Sequence, residues 1–143
     1  MRNLLATILL LCLSAGMVFS QTRNVESEVK SAVDLLLNLC EEQNYDSLST
    51  LIVYSGKDQA RYLKDTYNYS DRKEVTAVKR IGKKIKAFID LSDNHNFGGY
   101  NLIAVNEIPN YKLEVIFING EQEINTDFTF IEVNKKLLLL TVQ

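Results

Sequence analysis

The sequence has little cysteine, proline and histidine, and it has no tryptophan. Its 143 residues include two cysteines, one proline and one histidine. A single histidine with two widely spaced cysteines does not provide the ligand spacing of a zinc site. Because so few thiols give no disulfide framework, the chain must be stabilised by a hydrophobic core. The apolar fraction of 46% is normal for such a core, and the length predicts a single domain.

The first twenty residues have the pattern of a secretory signal. One cation, Arg2, precedes the sixteen uncharged residues from Leu4 to Phe19, and Val18-Phe19-Ser20 suits a signal peptidase. We therefore expect a cleaved signal peptide at residues 1–20 and a secreted or periplasmic domain at residues 21–143. The apolar segment from Leu4 to Phe19 has sixteen residues, fewer than the roughly 20 that cross a bilayer, so we expect no membrane span. Cleavage would leave Cys40 as the only thiol, which excludes an internal disulfide.

The chain also lacks an excess of positive charge. Its net charge is −2, whereas nucleic-acid-binding domains are usually basic, so no nucleic acid is expected as a partner. The cations are nevertheless concentrated between residues 72 and 86, where the one anion is Glu74. This face could meet anionic lipid, an acidic glycan or an acidic protein, or it could be a solvated face complemented by the acids of residues 107–132. The cations that form this basic surface are Arg72, Lys73, Lys79, Arg80, Lys83, Lys84 and Lys86.

The first half of the domain has the spacing of amphipathic helices. Apolar residues recur every three or four positions over residues 25–40, which predicts a first helix. Asp46 is the expected N-cap of a short second helix that ends near Val53, and residues 59–67 are expected to form a third. A fourth helix is expected from Ser70 or Asp71 onwards. Gly82 lies within its apolar stripe, which indicates that another part of the chain packs closely there. The stripe consists of Val75, Val78, Ile81, Ile85, Phe88 and Ile89.

The second half of the domain alternates as β-strands do. We expect a polar loop at residues 90–99, a strand at residues 100–108 and a turn at Pro109-Asn110. An antiparallel meander follows, with strands at residues 111–118, 124–133 and 137–142 and turns at Asn119-Gly120 and at residues 134–136. The last strand is apolar on both faces, so we expect it to be covered on both sides, in part by a partner subunit. The fold class is therefore α+β, with three to four N-terminal helices packed on a curved, mainly antiparallel, four-stranded sheet.

This order of elements, closed by the aromatic hairpin of residues 128–139, resembles the nuclear transport factor 2-like, or cystatin-like, superfamily. The segments Ile52-Val-Tyr-Ser-Gly-Lys-Asp58 and Tyr67-Asn-Tyr-Ser70 are similar to small exported bacterial members of that group. The resemblance implies a cone with a pocket between the helices and the concave sheet, and frequent dimerisation through the sheet. It implies no single activity, since the same cone hosts isomerases, dehydratases and non-catalytic binding domains.

Candidate binding residues cluster around four tyrosines within sixteen residues. Tyrosine combines a large apolar ring with one hydrogen-bonding tip, so these side chains could line a pocket for an organic ligand or seal the rim of the core. The aromatic face of the meander is the expected pocket wall. The candidate pocket or rim residues are Tyr54, Tyr62, Tyr67, Tyr69, Phe117, Phe128, Phe130 and Glu132.

No catalytic set is predicted. Cys40 and His95 could form a nucleophilic pair, but a thiol near a helix C-terminus and beside two glutamates is expected to be inert. An isomerase needs a carboxylate base in an apolar pocket, and Glu132 is the carboxylate that shares the face of Phe128 and Phe130. We expect no metal and no cofactor. The sequence therefore predicts an exported non-catalytic domain that binds a small organic ligand or a protein and dimerises through its sheet, with a small isomerase or hydratase as the alternative.

Overall fold

The structure is a computed structural model that describes residues 23–143, so the expected signal peptide lies outside the described residues. The described residues form three helices followed by one antiparallel sheet with strand order β1-β2-β3-β4. None of these helices is long and apolar enough to cross a membrane. The elements are α1 (Val25–Glu41), α2 (Tyr45–Ser49), α3 (Arg72–Asp90), β1 (Asn94–Val105), β2 (Ile108–Asn119), β3 (Gln122–Val133) and β4 (Lys136–Val142).

The first helix forms where the sequence predicts it. The Asn24 side chain accepts a hydrogen bond from the Ser27 N–H group, which caps the free backbone donors of the first turn. Val29, Val33 and Cys40 lie on its buried face. α1 therefore presents one continuous apolar stripe to the sheet.

The second helix is shorter than predicted. Asn44, and not Asp46, is its N-cap, since the Asn44 side chain accepts from the Ser47 N–H group at 3.2 Å. The predicted end near Val53 is also wrong, because the helix ends at Ser49. Capping by asparagine and by aspartate is nearly equivalent, so the sequence alone did not separate the two positions.

Residues 51–53 leave the helical path because they pair with the last strand. The Val53 N–H group donates to the Leu139 carbonyl at 3.0 Å, and the Leu139 N–H group donates to the Leu51 carbonyl at 2.8 Å. This short parallel bridge covers the outer edge of β4. One edge of the sheet is thus protected by the chain itself.

The predicted third helix at residues 59–67 is wrong. These residues form a series of turns, and Leu63 has a left-handed backbone with φ of 56°. Its N–H group donates to the Tyr54 carbonyl at 2.9 Å instead of continuing a helix. The Asp58 side chain accepts from the Ala60 N–H group at 3.0 Å, which closes a local turn.

The fourth predicted helix is confirmed as α3. The Asp71 carboxylate accepts from the N–H groups of Lys73 and Glu74 at 2.8 and 3.1 Å, and both bonds lower the pKa of Asp71. Gly82 lies against α2: a Cβ atom at this position would be 2.7 Å from Tyr45 Cε1 and 2.8 Å from a Leu48 methyl carbon. The close packing predicted for Gly82 is therefore confirmed.

Gly82→Ala is expected to lower the free energy of unfolding by up to about 2 kcal/mol. Alanine improves helix propensity by about 1 kcal/mol, but overpacking against the buried Tyr45 ring costs about 1–3 kcal/mol. Urea unfolding measures the difference. The exposed Thr76→Ala in the same helix is the control and should leave stability unchanged or raise it. A Gly82→Ala variant more stable than wild type would contradict this packing.

The first strand starts earlier than predicted. Residues 94–99 belong to β1 and not to a loop, and the strand reverses at Asn106 and Glu107, whose φ values are 50° and 65°. The turn predicted at Pro109-Asn110 is wrong, since both residues lie in β2. β1 is an edge strand with an irregularity between Phe97 and Tyr100, so its sequence does not show the alternation of a central strand.

The three predicted strands of the meander are confirmed. Asn119 pairs with Gln122, so the first turn is centred on Gly120, which has φ of 59°, and on Glu121. The second turn places Asn134 and Lys135 at φ values of 51° and 65°. Both turns supply the positive φ that tight hairpins need.

The inner face of the sheet packs on the helices and leaves the main core filled. Phe117 stacks on Phe88 of α3 with ring centroids 5.4 Å apart. Ile124, at the end of β3, is partly exposed and does not reach this core. The buried inner-face residues are Leu113, Val115, Phe117, Thr126, Phe128 and Phe130.

The outer face of β4 is covered by the same chain. Leu138 and Ile131 form a small second core with Val53, and Leu63 packs against it. The prediction that the last strand is covered on both sides is confirmed. Val53 and Leu63 provide this cover for Leu138 and Ile131, and cover of the rest of the outer face by a partner subunit stays a prediction.

Candidate functional site

The aromatic face of the meander does not form an open pocket. Phe128 and Phe130 are fully buried among core side chains, and they were wrongly predicted to line a pocket. Phe117 is buried in the same core and reaches the floor of a separate polar cleft beside His95. Large rings that interdigitate with two helices fill the space in which a cone-shaped enzyme would hold its substrate.

Glu132 lies at the surface in an ion pair. Its carboxylate accepts from the Arg23 guanidinium at 2.5 Å, and Arg23 also contacts Glu28 at 2.7 Å. The hydrogen bond from Arg23 lowers the pKa of Glu28. A carboxylate paired in this way is not the desolvated base that an isomerase requires.

Two of the four candidate tyrosines meet at a surface cleft of about 400 Å³. Tyr54 and Tyr67 are each 8% exposed, and their rings are 5.3 Å apart with a tilt of 57°. Tyr62 is 42% exposed outside this cleft, and Tyr69 packs against the core. The tyrosine cleft, as we call it, is lined by Tyr54, Ser55, Gly56, Lys57, Tyr67, Lys73, Glu74, Ala77 and Arg80.

Backbone and side-chain contacts hold the two phenol groups in place. The Tyr67 hydroxyl lies 3.0 Å from the Ser55 hydroxyl, and the Asp58 N–H group donates to the Tyr54 hydroxyl at 3.3 Å. Gly56 lets the loop cross the Tyr54 ring, since a Cβ atom there would be 2.4 Å from the ring. The floor of the tyrosine cleft is therefore built before any ligand arrives.

Arg61 ties the floor of the tyrosine cleft to α3. Its guanidinium lies 4.3 Å from the centre of the Tyr54 ring and contacts Glu74 at 2.6 Å. It also donates to the Thr66 carbonyl at 2.7 Å and contacts Asp65 at 3.0 Å. The hydrogen bonds to Glu74 and Asp65 raise the pKa of Arg61, so this group stays charged. Arg61 combines a stacked contact with a forked ion pair, which lysine cannot reproduce.

The tyrosine cleft carries three cations that form no ion pair within residues 23–143. The Glu74 charge is neutralised by Arg61, and the same carboxylate accepts from the Asn68 N–H group at 2.5 Å. The other charged lining residues are cations, and within the described part of the chain none of them forms an ion pair. They are Lys57, Lys73 and Arg80.

Within residues 23–143 the acids of the sheet form no direct ion pair with the basic surface. Lys86 pairs with Asp90 of its own helix at 2.6 Å, which raises the pKa of Lys86, and Lys84 donates to the Val142 carbonyl. Complementation of the basic surface by the acids of the sheet at longer range stays a prediction.

Cys40 and His95 do not form a nucleophilic site. Burial raises the pKa of the Cys40 thiol to about 12, so the thiolate is not populated at neutral pH. The His95 imidazole instead lies 3.4 Å from the Asp34 carboxylate. Within the described residues, no three His, Cys, Asp or Glu side chains cluster as metal ligands.

No family model and no curated protein matches the chain. It is similar to the solved structure of a variant of Rd1NTF2_05, with 15% identity over 84% of this chain and 98% of that one and a TM-score of 0.47. The fold class itself rests on the element order and strand register described above. Helices that precede a four-stranded antiparallel meander give the chain the α+β fold class predicted from the sequence.

Several residues of the tyrosine cleft were not among the sequence candidates. Ser55, Gly56 and Lys57 follow Tyr54 directly in the sequence, and this position next to a candidate tyrosine is the signal that could have identified them. Arg61 fell within the wrongly predicted helix, where it would have been one exposed cation among others. Its role depends on a turn that places it opposite α3.

Proposed function

We propose that the chain is an exported, non-catalytic binding domain whose tyrosine cleft takes a small organic anion with a flat apolar part. On this proposal residues 1–20 are removed and the domain acts outside the cytoplasm. The observation that carries the proposal is the combination of two nearly buried tyrosines with three cations that have no ion-pair partner among residues 23–143.

The chemistry of the lining supports this ligand class. Tyrosine rings offer apolar area and ordered hydroxyls, whereas the lysine and arginine side chains attract negative charge. Glu74 does not oppose an anion, because Arg61 neutralises it. The isomerase alternative has less support, since its candidate base Glu132 is held by Arg23 at the surface.

Anilinonaphthalene sulfonate, an aromatic anion that fluoresces when desolvated, is the probe that tests the proposal. We expect saturable binding that weakens as salt is added, because exposed charges are screened. Lys73→Glu combined with Arg80→Glu should weaken binding by roughly tenfold or more, since a tenfold change in affinity is 1.4 kcal/mol.

The matched control reverses two charges on the same helix outside the tyrosine cleft. Lys79→Glu combined with Lys83→Glu makes the same change in net charge, and both residues are exposed. This control should bind the probe nearly as wild type does. Equal loss in both double variants would place the probe on the whole basic surface, and absence of saturable binding would refute the proposal.

A further inference from the structure

The most exposed apolar surface of the described residues is the end of the β1–β2 hairpin. Leu102 is 63% exposed, Ile103 44%, Val105 51% and Ile108 39%. All four residues lie within five positions of the turn at Asn106-Glu107: Ile103, Val105 and Ile108 share one face of the hairpin, and Leu102 lies on the other. An apolar hairpin end of this kind marks an interaction surface.

The outer edge of β1 lacks the protection that β4 has. Residues 51–53 cover the β4 edge, whereas β1 is the opposite edge of the sheet and pairs with β2 alone within the described chain. From residue 96 to residue 106 the sequence contains no charged residue and no proline. Charges and prolines are the usual means by which edge strands avoid pairing.

The hairpin turn fixes which backbone groups of β1 point outwards. Asn106 and Glu107 both have positive φ, as in a two-residue type I′ turn, and such a turn is closed by a hydrogen-bonded pair, here Val105 and Ile108. Backbone groups alternate along a strand, so Ile103 also faces β2. The outward-facing donors and acceptors therefore belong to Tyr100, Leu102 and Ala104.

We propose that a second copy of this chain pairs antiparallel with β1 about a two-fold axis at Leu102. Leu102 then lies opposite its own counterpart, and Tyr100 lies opposite Ala104 of the second copy. In this register the outward-facing N–H and C=O groups of these three residues in each chain form about six hydrogen bonds between the two copies. The two four-stranded sheets then form one continuous sheet. Both copies use the same surface, as a closed two-fold dimer requires.

Two features favour a second copy over a charged partner. The paired segment is uncharged, so two copies meet without repulsion. The nearest charge, Glu107, is five residues from the axis, which separates the two glutamates by about 30 Å. The irregularity between Phe97 and Tyr100 ends the regular strand on the other side and limits pairing to residues 100–105.

The small area sets the expected affinity. Stable interfaces bury about 800 Å² on each partner, and four apolar side chains with one short edge provide less. We therefore expect a dimer that dissociates in the micromolar range. None of the hairpin residues lines the tyrosine cleft, so this inference does not depend on the proposed ligand.

Sedimentation velocity over a hundredfold range of protein concentration tests the dimer. Wild type should shift from monomer to dimer, and Leu102→Lys should raise the dissociation constant at least tenfold by placing two cations at the axis. Leu91→Lys is the matched control, because Leu91 is 58% exposed outside the hairpin, and it should dimerise as wild type does. A monomer throughout, or equal loss with Leu91→Lys, would overturn the proposal.

Two further variants test the register. Ala104→Pro removes an outward N–H group without breaking a β1–β2 hydrogen bond, so it should weaken the dimer while the fold is kept. Leu102→Cys should cross-link to its counterpart on mild oxidation, since hydrogen-bonded pairs have Cα atoms about 5.5 Å apart, within the range of a disulfide. Leu91→Cys should not. A wild-type dimer in which Leu102→Cys fails to cross-link would overturn the pairing proposed here.

Discussion

Phe128→Ala is expected to lower the free energy of unfolding by about 3–5 kcal/mol. Phe128 is fully buried, and in the sheet it lies opposite Leu113 of β2 and Val142 of β4. Truncation removes the ring from a site closed by both neighbouring strands and by the helices. The cavity that remains cannot collapse easily, so the loss should be near the upper end of the range for a core phenylalanine.

Urea unfolding with Ile124→Ala as the control measures this effect. Ile124 lies on the same strand but is 36% exposed, so its truncation should cost less than about 1 kcal/mol. If Phe128→Ala cost no more than the control, the space between helices and sheet would not be filled. A pocket of the kind that the isomerase alternative needs would then exist there.

Much of the fold was predictable because its signals are local. The stripe of α3 repeats every three or four residues and has a capping aspartate, and both properties are read from neighbouring positions. The alternation along β2 and β3 and the positive-φ residues of the turns are equally local. These elements were predicted within a few residues of their observed bounds.

The elements that failed depend on contacts distant in sequence. Residues 59–67 have helical composition, yet the Leu63 N–H group donates to Tyr54 and Arg61 pairs with Glu74. The start of β1 is polar and is a strand because it pairs with β2. Tertiary contacts override these weak local propensities, and a single sequence does not show which residues make such contacts.

The residues of the candidate site were predicted separately, and only the fold brings them together. Tyr54 and Tyr67 were candidates as tyrosines, and Lys73 and Arg80 were candidates as part of the basic surface, but nothing in their spacing placed them in one cleft. Phe128 and Phe130 were assigned to a pocket because alternation identifies the inner face of a strand. Alternation does not distinguish a filled interior from an open one.

Arg61→Ala is expected to lower the free energy of unfolding by about 2 kcal/mol. It removes the stacked contact with Tyr54 and leaves the Glu74 carboxylate, whose side chain is 14% exposed, without its partner. Breaking a fully buried pair costs about 3–5 kcal/mol, and the partial exposure of Arg61 reduces that figure. Urea unfolding measures the loss, and Arg72→Ala, an exposed cation at the start of α3, should leave stability nearly unchanged.

The same substitution should weaken binding of anilinonaphthalene sulfonate, although Arg61 does not line the tyrosine cleft. Once Arg61 is absent, Glu74 contributes an uncompensated negative charge beside Lys73 and Arg80, and the attraction for an anion falls. Adding Glu74→Gln to Arg61→Ala removes that charge and should recover most of the affinity without restoring full stability. If Arg61→Ala bound the probe as tightly as wild type does, the Glu74 charge would not affect the affinity for the probe. The ion pair between Arg61 and Glu74 would then contribute to stability alone.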